Sequence, residues 1–266
     1  MPRVIFYPIL PSPYQRDLFY QLSLRSEFDL TVFYLESFYW AYPWPQEFLQ
    51  PYEFVLPGFN LQWVDARFHF NWDGRKWQQA DVIVFNGYTN SIAQSVLRWR
   101  SHCVPCIFWG ERQSGRARGI KARLNRMLSA PLQNCRAIAA IGSGAARDYQ
   151  QRFPDKPIFN IPYYCNLETF QAHIPQRPRY PPTILFCGQM ISRKGVDLLL
   201  QAFERVLGMA LEAKLLLVGR EGELPQVLAL VSERTREHIE YAGFQAPEDL
   251  PQFFPPRRSI AIVDHM

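Results

Sequence analysis

The strongest constraint in this sequence is its alternation. Apolar runs just long enough for one strand take turns with segments whose apolar residues recur every three or four positions. Residues 4–9 read as a strand, 16–24 as a helix, 30–34 and 81–85 as strands. Residues 90–100 read as a helix capped by Asn90, 106–109 as a strand, 117–128 as a helix, 137–141 as a strand and 145–152 as a helix. Strands linked through helices run parallel, and a parallel sheet must be covered by helices on both faces. The predicted class is therefore α/β, with doubly wound sheets.

The alternation stops once and starts again. Pro175, Pro178, Pro181 and Pro182 interrupt it, with basic residues between them. At 266 residues the chain is longer than a usual single domain. We therefore expect a domain at 1–174, a Pro-rich linker at 175–182 and a second domain at 183–266. In the second domain, strands are predicted at 183–187, 214–218 and 239–244, helices at 195–207 and 224–234, and a last apolar run at 260–263. A doubly wound domain holds about six strands. The four read here predict an incomplete second sheet.

Composition excludes several classes. With 48% hydrophobic, 15% aromatic and 20% charged residues, the chain is globular and not disordered. Its N-terminal apolar run is too short for a signal peptide, and no uninterrupted apolar stretch would span a bilayer, so a cytoplasmic protein is expected. Five cysteines at irregular spacing point to reduced thiols. Cys103 and Cys106 form one C-x-x-C pair without a second pair for zinc, and Cys106 opens a strand. The net charge of +5 is unevenly spread: residues 112–147 carry eight basic side chains and no acidic one, while the remainder is net acidic. Helix 117–128 is thus basic and amphipathic, fit either for an anionic membrane at the inner face or for solvent alone. No nucleic-acid-binding module is present.

One turn carries the sharpest chemical signal. Arg193 and Lys194 precede a helix whose Val196, Leu199, Leu200, Phe203, Val206 and Leu207 form one apolar face. Cations are disfavoured at the positive end of a helix dipole. An arriving phosphate would relieve that cost and use the unpaired backbone N–H groups, and a diphosphate would suit both cations. The other reading is a solvated turn partly balanced by Asp197.

Together, several motifs resemble those of family 4 (group 1) glycosyltransferases. In the second half these are GQMISRKGVDLLLQAF, LLLVGREGE, and IEYAGF followed by PEDLP; in the first half they are LPSPYQRDLF, DVIVFNGY, IFWGER and AIGSGAARDY. The resemblance reaches to about Phe254. It implies two Rossmann-like domains of the GT-B type. It also implies transfer of a sugar from a nucleotide-sugar donor, with retention, to a glycan or lipid-linked acceptor, with no cofactor and no metal. A truncated, inactive remnant that only binds nucleotide or a partner is the rival reading, and a nucleotide-sugar epimerase of like architecture a further one. The resemblance leads us to expect a pair of glutamates separated by seven residues beyond the fourth strand of the second domain, where this sequence ends.

The resemblance also assigns roles. Arg193 and Lys194 would grip the donor diphosphate, with Gly188 allowing close backbone approach. Gly222 and Glu223 would form the donor loop, and Phe244 would line the base pocket. Pro13, Tyr14, Trp109 and Arg112 would lie on the acceptor side. Glu111 would bind sugar hydroxyls or act as a base, or else serve only as the surface partner of Arg112 or Arg116. Gly142-Ser143-Gly144 reads as a tight strand-to-helix turn, and the aromatic cluster from Phe38 to Trp44 as a packed loop.

Overall fold

The computed structural model describes residues 1–38, 48–63, 66–112, 119–163, 170, 181–209, 212–246, 248–254 and 261–263. The chain divides into two compact units, Met1–Cys165 and Asn166–Met266. Residues 175–180 of the expected linker and 39–47 of the aromatic cluster lie outside the described residues.

The first unit runs β1 (Arg3–Tyr7), α1 (Pro13–Ser23), β2 (Asp29–Tyr34), β3 (Glu53–Val55), β4 (Gly58–Trp63), β5 (Ala66–Asn71), β6 (Val82–Phe85), α2 (Ser91–Trp99), β7 (Cys106–Gly110), α3 (Gly119–Ser129), β8 (Ala137–Ala140), α4 (Ser143–Arg152) and β9 (Ile158–Asn160). Seven strands form a sheet in the order β3-β2-β1-β6-β7-β8-β9, and every pair in it is parallel. Successive residues point to opposite faces, so each strand feeds two cores. Tyr7, Phe85 and Phe108 enter one; Phe6, Val84 and Trp109 enter the other. This explains why the strands read as continuous apolar runs instead of alternating ones. Burial of each such ring or aliphatic side chain stabilises the fold by about 1.5–3 kcal/mol.

The helices begin where local chemistry dictates. Asn90 caps α2 through its side-chain oxygen, which accepts the Ala93 N–H at 2.7 Å, an arrangement worth about 1 kcal/mol. Pro13 occupies the first turn of α1, where its missing N–H costs nothing.

The second unit holds β10 (Thr183–Cys187), α5 (Val196–Gly208), β11 (Lys214–Val218), α6 (Leu224–Leu228), α7 (Glu233–Glu237), β12 (Ile239–Gly243) and β13 (Ala261–Val263). Its four strands lie in the order β12-β11-β10-β13, all parallel. The apolar face of α5, with Val196, Leu200, Phe203 and Leu207, packs into a core with Leu215 and Leu217.

Two expectations need correction. The helix predicted at 224–234 is broken in two, because Ser232 caps α7 by accepting the Thr235 N–H at 3.3 Å. Glu204 on α5 then accepts the Ser232 N–H at 2.7 Å and holds the break in place. The strands β3, β4, β5 and β9 were not read from the sequence. β3 and β9 are three-residue edges, and β4 with β5 forms a separate antiparallel hairpin.

Candidate functional site

In open parallel sheets, ligands sit beyond the carboxyl ends of the strands, where the strand order reverses. In the second unit that reversal lies between β10 and β13, and the chain leaving β10 there is the 188–195 loop. Ser192–Lys194 makes one 3-10 turn. Gly195 follows in the left-handed conformation (φ 75°) and caps α5. Arg193 is exposed and Lys194 half-buried, both directly before the helix. Asp197 in the first turn of α5 keeps a buried carboxylate oxygen without a hydrogen-bond partner, and its negative charge lies at the positive end of the helix dipole, where it is favoured.

A second loop braces the first. Gly188 donates to Val218 O at 2.9 Å, Met190 donates to Arg220 O at 2.9 Å, and Glu223 donates its N–H to Met190 O at 2.7 Å. This close approach requires glycine at two points. A Cβ on Gly219 (φ 138°) would lie 1.9 Å from Gly188 O, and one on Gly222 (φ 51°) would lie 2.5 Å from Met190 O. The Glu223 carboxylate accepts both the Ser192 N–H at 3.0 Å and the Ser192 hydroxyl at 2.5 Å. Those two bonds hold its pKa below the usual carboxylate range. Glu223 thus restrains the turn that bears the two cations.

Phe244 follows β12 and is 56% exposed, an aromatic face left open. The Arg220 guanidinium lies over that ring, 5.8 Å from its centre, and the Tyr241 hydroxyl donates to Gly219 O at 3.0 Å. Arg220 was not singled out from the sequence. A lone arginine in a glycine-rich loop has no helical or strand period to mark it.

In the first unit the order reverses between β1 and β6. Here the group is assembled from several separate segments of the chain. Tyr14, in the first turn of α1, has its ring centre 4.4 Å from that of Tyr163, and Trp109 packs edge-on to Tyr163 at 6.0 Å. Trp109 Nε1 donates to Ile161 O at 3.3 Å. Burial raises the Tyr163 pKa well above its ordinary value, and the charge of and hydrogen bonds with Tyr14 and Glu111 add to the shift. Glu111 itself is exposed beyond β7. Its backbone oxygen accepts the Tyr149 hydroxyl at 2.8 Å.

Asn86 donates to Trp109 O at 3.2 Å. Its side-chain oxygen and the Ser12 hydroxyl are both buried without a hydrogen-bond partner. Tyr14, Trp109 and Glu111 therefore come together, with Pro13 beside them at the start of α1. Arg112 is turned away to Asp148, with its Nε 2.5 Å from Oδ2. Sequence reading missed Ser12, Asn86 and Tyr163, whose only signal was a position just beyond an apolar run.

Other candidates separate cleanly. Cys106 is buried and Cys103 exposed, and burial pushes the Cys106 thiol up to about 12. Gly142 (φ 91°) makes the sharp entry to α4. In α3, Ile120 and Met127 are 81% and 56% exposed among exposed Arg123 and Arg126; residues 117 and 118 lie outside the described residues. Among the described residues no group of three or more His, Cys, Asp or Glu could hold a metal, and no helix is long and apolar enough to cross a membrane.

Residues 181–257 match the model of the family described as glycosyl transferases group 1. This stretch contains the whole braced double loop. Among solved structures, the lipopolysaccharide outer core galactosyltransferase WaaB is similar at 12% identity and TM-score 0.61, over 91% of this chain and 68% of that one. WaaG, a glycosyltransferase involved in lipopolysaccharide biosynthesis, is similar at 14% identity and TM-score 0.56, over 98% and 74%. The UDP-GlcNAc 2-epimerase from Methanocaldococcus jannaschii is similar at 9% identity and TM-score 0.52, over 95% and 76%. The chain spans only 33% of the length of TarM, another similar structure. No curated protein sequence matches. The fold is thus the Rossmann-like α/β architecture of the GT-B glycosyltransferases, shared with an epimerase, so fold alone does not select the reaction.

Proposed function

We propose that this chain takes part in glycosyl transfer from a nucleotide-sugar donor, of the kind carried out by family 4 enzymes. The single observation that carries the reading is that the group 1 glycosyl transferase match covers residues 181–257, where two cations stand at the reversal point of a parallel sheet. Arg193 and Lys194 are assigned to the donor diphosphate, whose charge they neutralise as it departs, with the first turn of α5 supplying backbone donors. Gly188, Gly222 and Glu223 shape and restrain that loop. Phe244, with Arg220 over it, is assigned to the nucleobase.

Tyr14, Trp109, Glu111 and Pro13 are assigned to the acceptor, a glycan or a lipid-linked sugar, with Glu111 accepting hydroxyl hydrogen bonds or a proton. Arg112 acts there only if an acceptor anion draws it from Asp148. Retention at the sugar carbon, independence of metals and cofactors, and a cytoplasmic location in polysaccharide or glycolipid synthesis belong to the same proposal. So does contact of α3 with an anionic membrane through Ile120, Met127 and the arginines beside them.

Calorimetric titration with UDP, GDP and ADP tests the donor site. Replacing both Arg193 and Lys194 by alanine should weaken the preferred diphosphate about 100-fold, and unchanged affinity would overturn the assignment. Incubation with the matching nucleotide sugars and analysis of the anomeric configuration by NMR then tests turnover. Binding without turnover would leave a nucleotide-binding module.

A further inference from the structure

Arg220 and Phe244 face each other on a tightly bonded frame. Gly219, directly after β11, donates its N–H to Gly243 O at 2.8 Å, and Met190 donates to Arg220 O at 2.9 Å. The Tyr241 hydroxyl closes the same corner by donating to Gly219 O at 3.0 Å. Gly243 is in the left-handed region (φ 75°), so it turns the chain at the end of β12 and sets where Phe244 begins. Gly219 has no room for a side chain against Gly188 O. With the backbone held beside both residues, their side chains are the parts left to adjust.

Their separation is informative. The guanidinium carbon lies 5.8 Å from the centre of the Phe244 ring, within range of a cation–π attraction but beyond van der Waals contact. A planar base between them needs two layers of ~3.5–4.0 Å, so the pair stands roughly 1 Å short of holding one. Lifting the guanidinium by that amount gives up a weak attraction and gains a stacked face on each side of the base. Phe244 is 56% exposed and Arg220 half-buried, so the ring keeps an open flank for entry. A guanidinium is flat and stacks on rings, as a lysine ammonium does not.

We infer that Arg220 is a movable clamp on the base of a nucleoside diphosphate: it rests on Phe244 and closes over the far face of a base stacked on that ring. The inference rests on the assignment of this loop to a nucleotide donor. It adds the residue that lets the site distinguish a nucleoside diphosphate from a bare diphosphate. Arg193 and Lys194 bind the group that the two share, whereas the Arg220–Phe244 pair reads only the base.

The test is calorimetric titration of the full chain with UDP, GDP and ADP, and with inorganic pyrophosphate. The preferred nucleotide should bind at least about tenfold more tightly than pyrophosphate. Arg220→Ala should weaken the nucleotide about fivefold and leave pyrophosphate unchanged, which also shows that the variant is folded. Arg220→Lys, which keeps the charge and loses the plane, should lose most of that factor too. Phe244→Leu should cost about tenfold, and the joint variant should lose less than the product of the two, because the base needs both faces. Full nucleotide affinity in Arg220→Lys, or an equal loss of pyrophosphate in Arg220→Ala, would make Arg220 a phosphate ligand and overturn the clamp. Unchanged nucleotide affinity in Arg220→Ala would overturn it as well. Equal binding of nucleotide and pyrophosphate by the wild type would overturn the clamp and leave the diphosphate site standing, whereas binding of neither would overturn the donor-site reading and the clamp with it.

Discussion

The two units share one architecture and build their candidate sites in opposite ways. In the second unit, one continuous stretch from Gly188 to Glu223 supplies the cations, the helix terminus and the brace, and backbone hydrogen bonds do most of the holding. In the first, Tyr14 of α1, Trp109 of β7, and Asn86, Glu111 and Tyr163 from the segments after β6, β7 and β9 are brought together mainly through side chains. The lesson concerns what each site tolerates. A backbone-built site fails when a side chain intrudes, whereas a side-chain-built site fails residue by residue.

The sharpest way to break this contrast is Gly219→Val. Its Cβ would stand 1.9 Å from Gly188 O at φ 138°, so we expect a loss of about 3–5 kcal/mol in a denaturant titration. Gly142→Ala in the first unit has nothing within 4 Å and should cost about 1–2 kcal/mol for its positive φ alone. Equal losses would show that the two loops are not locked together.

Tyr163→Phe comes next. It keeps the ring against Trp109 and removes the hydroxyl that bonds with Tyr14 and Glu111. The rate of transfer to the acceptor should fall about tenfold, with nucleotide affinity unchanged. A variant that weakens nucleotide binding instead would contradict the division of labour.

Glu223→Gln should act more gently, weakening nucleoside diphosphate about threefold at neutral pH. The sign of its pH dependence is definite. Because the folded carboxylate has a depressed pKa, its restraint of the turn is complete above the ordinary value of about 4.3 and is lost as the pH falls through the depressed one. Wild-type affinity should therefore decline in acid, and the glutamine variant should lack that component.

The smallest effect is a difference in labelling. At pH 8 a thiol reagent should modify exposed Cys103 and leave Cys106 and Cys135 untouched in the native state, since burial pushes both thiols up to about 12. Mass spectrometry of peptides reads this directly. Rapid modification of Cys106 would mean that β7, which carries Trp109 and leads into Glu111, opens readily.

The sequence by itself determined the alternation, and through it the parallel sheets, since a strand buried on both faces must be apolar throughout and a covering helix must repeat every three to four residues. It also placed Arg193 and Lys194 in the turn before a helix, because a helix start is local in the chain. It did not reveal the break at Ser232, where one capping hydroxyl and Glu204 outweigh a continuous helical pattern. It also did not reveal the hairpin, whose outward apolar face inverts the usual sign of the signal. Only the tertiary structure brought Tyr163 to Glu111, 52 residues away in sequence, and paired Arg112 with Asp148 instead of Glu111. The reason is physical. Periodicity records which side of an element is buried, but contacts between the ends of different strands depend on strand order and register, which no single segment encodes.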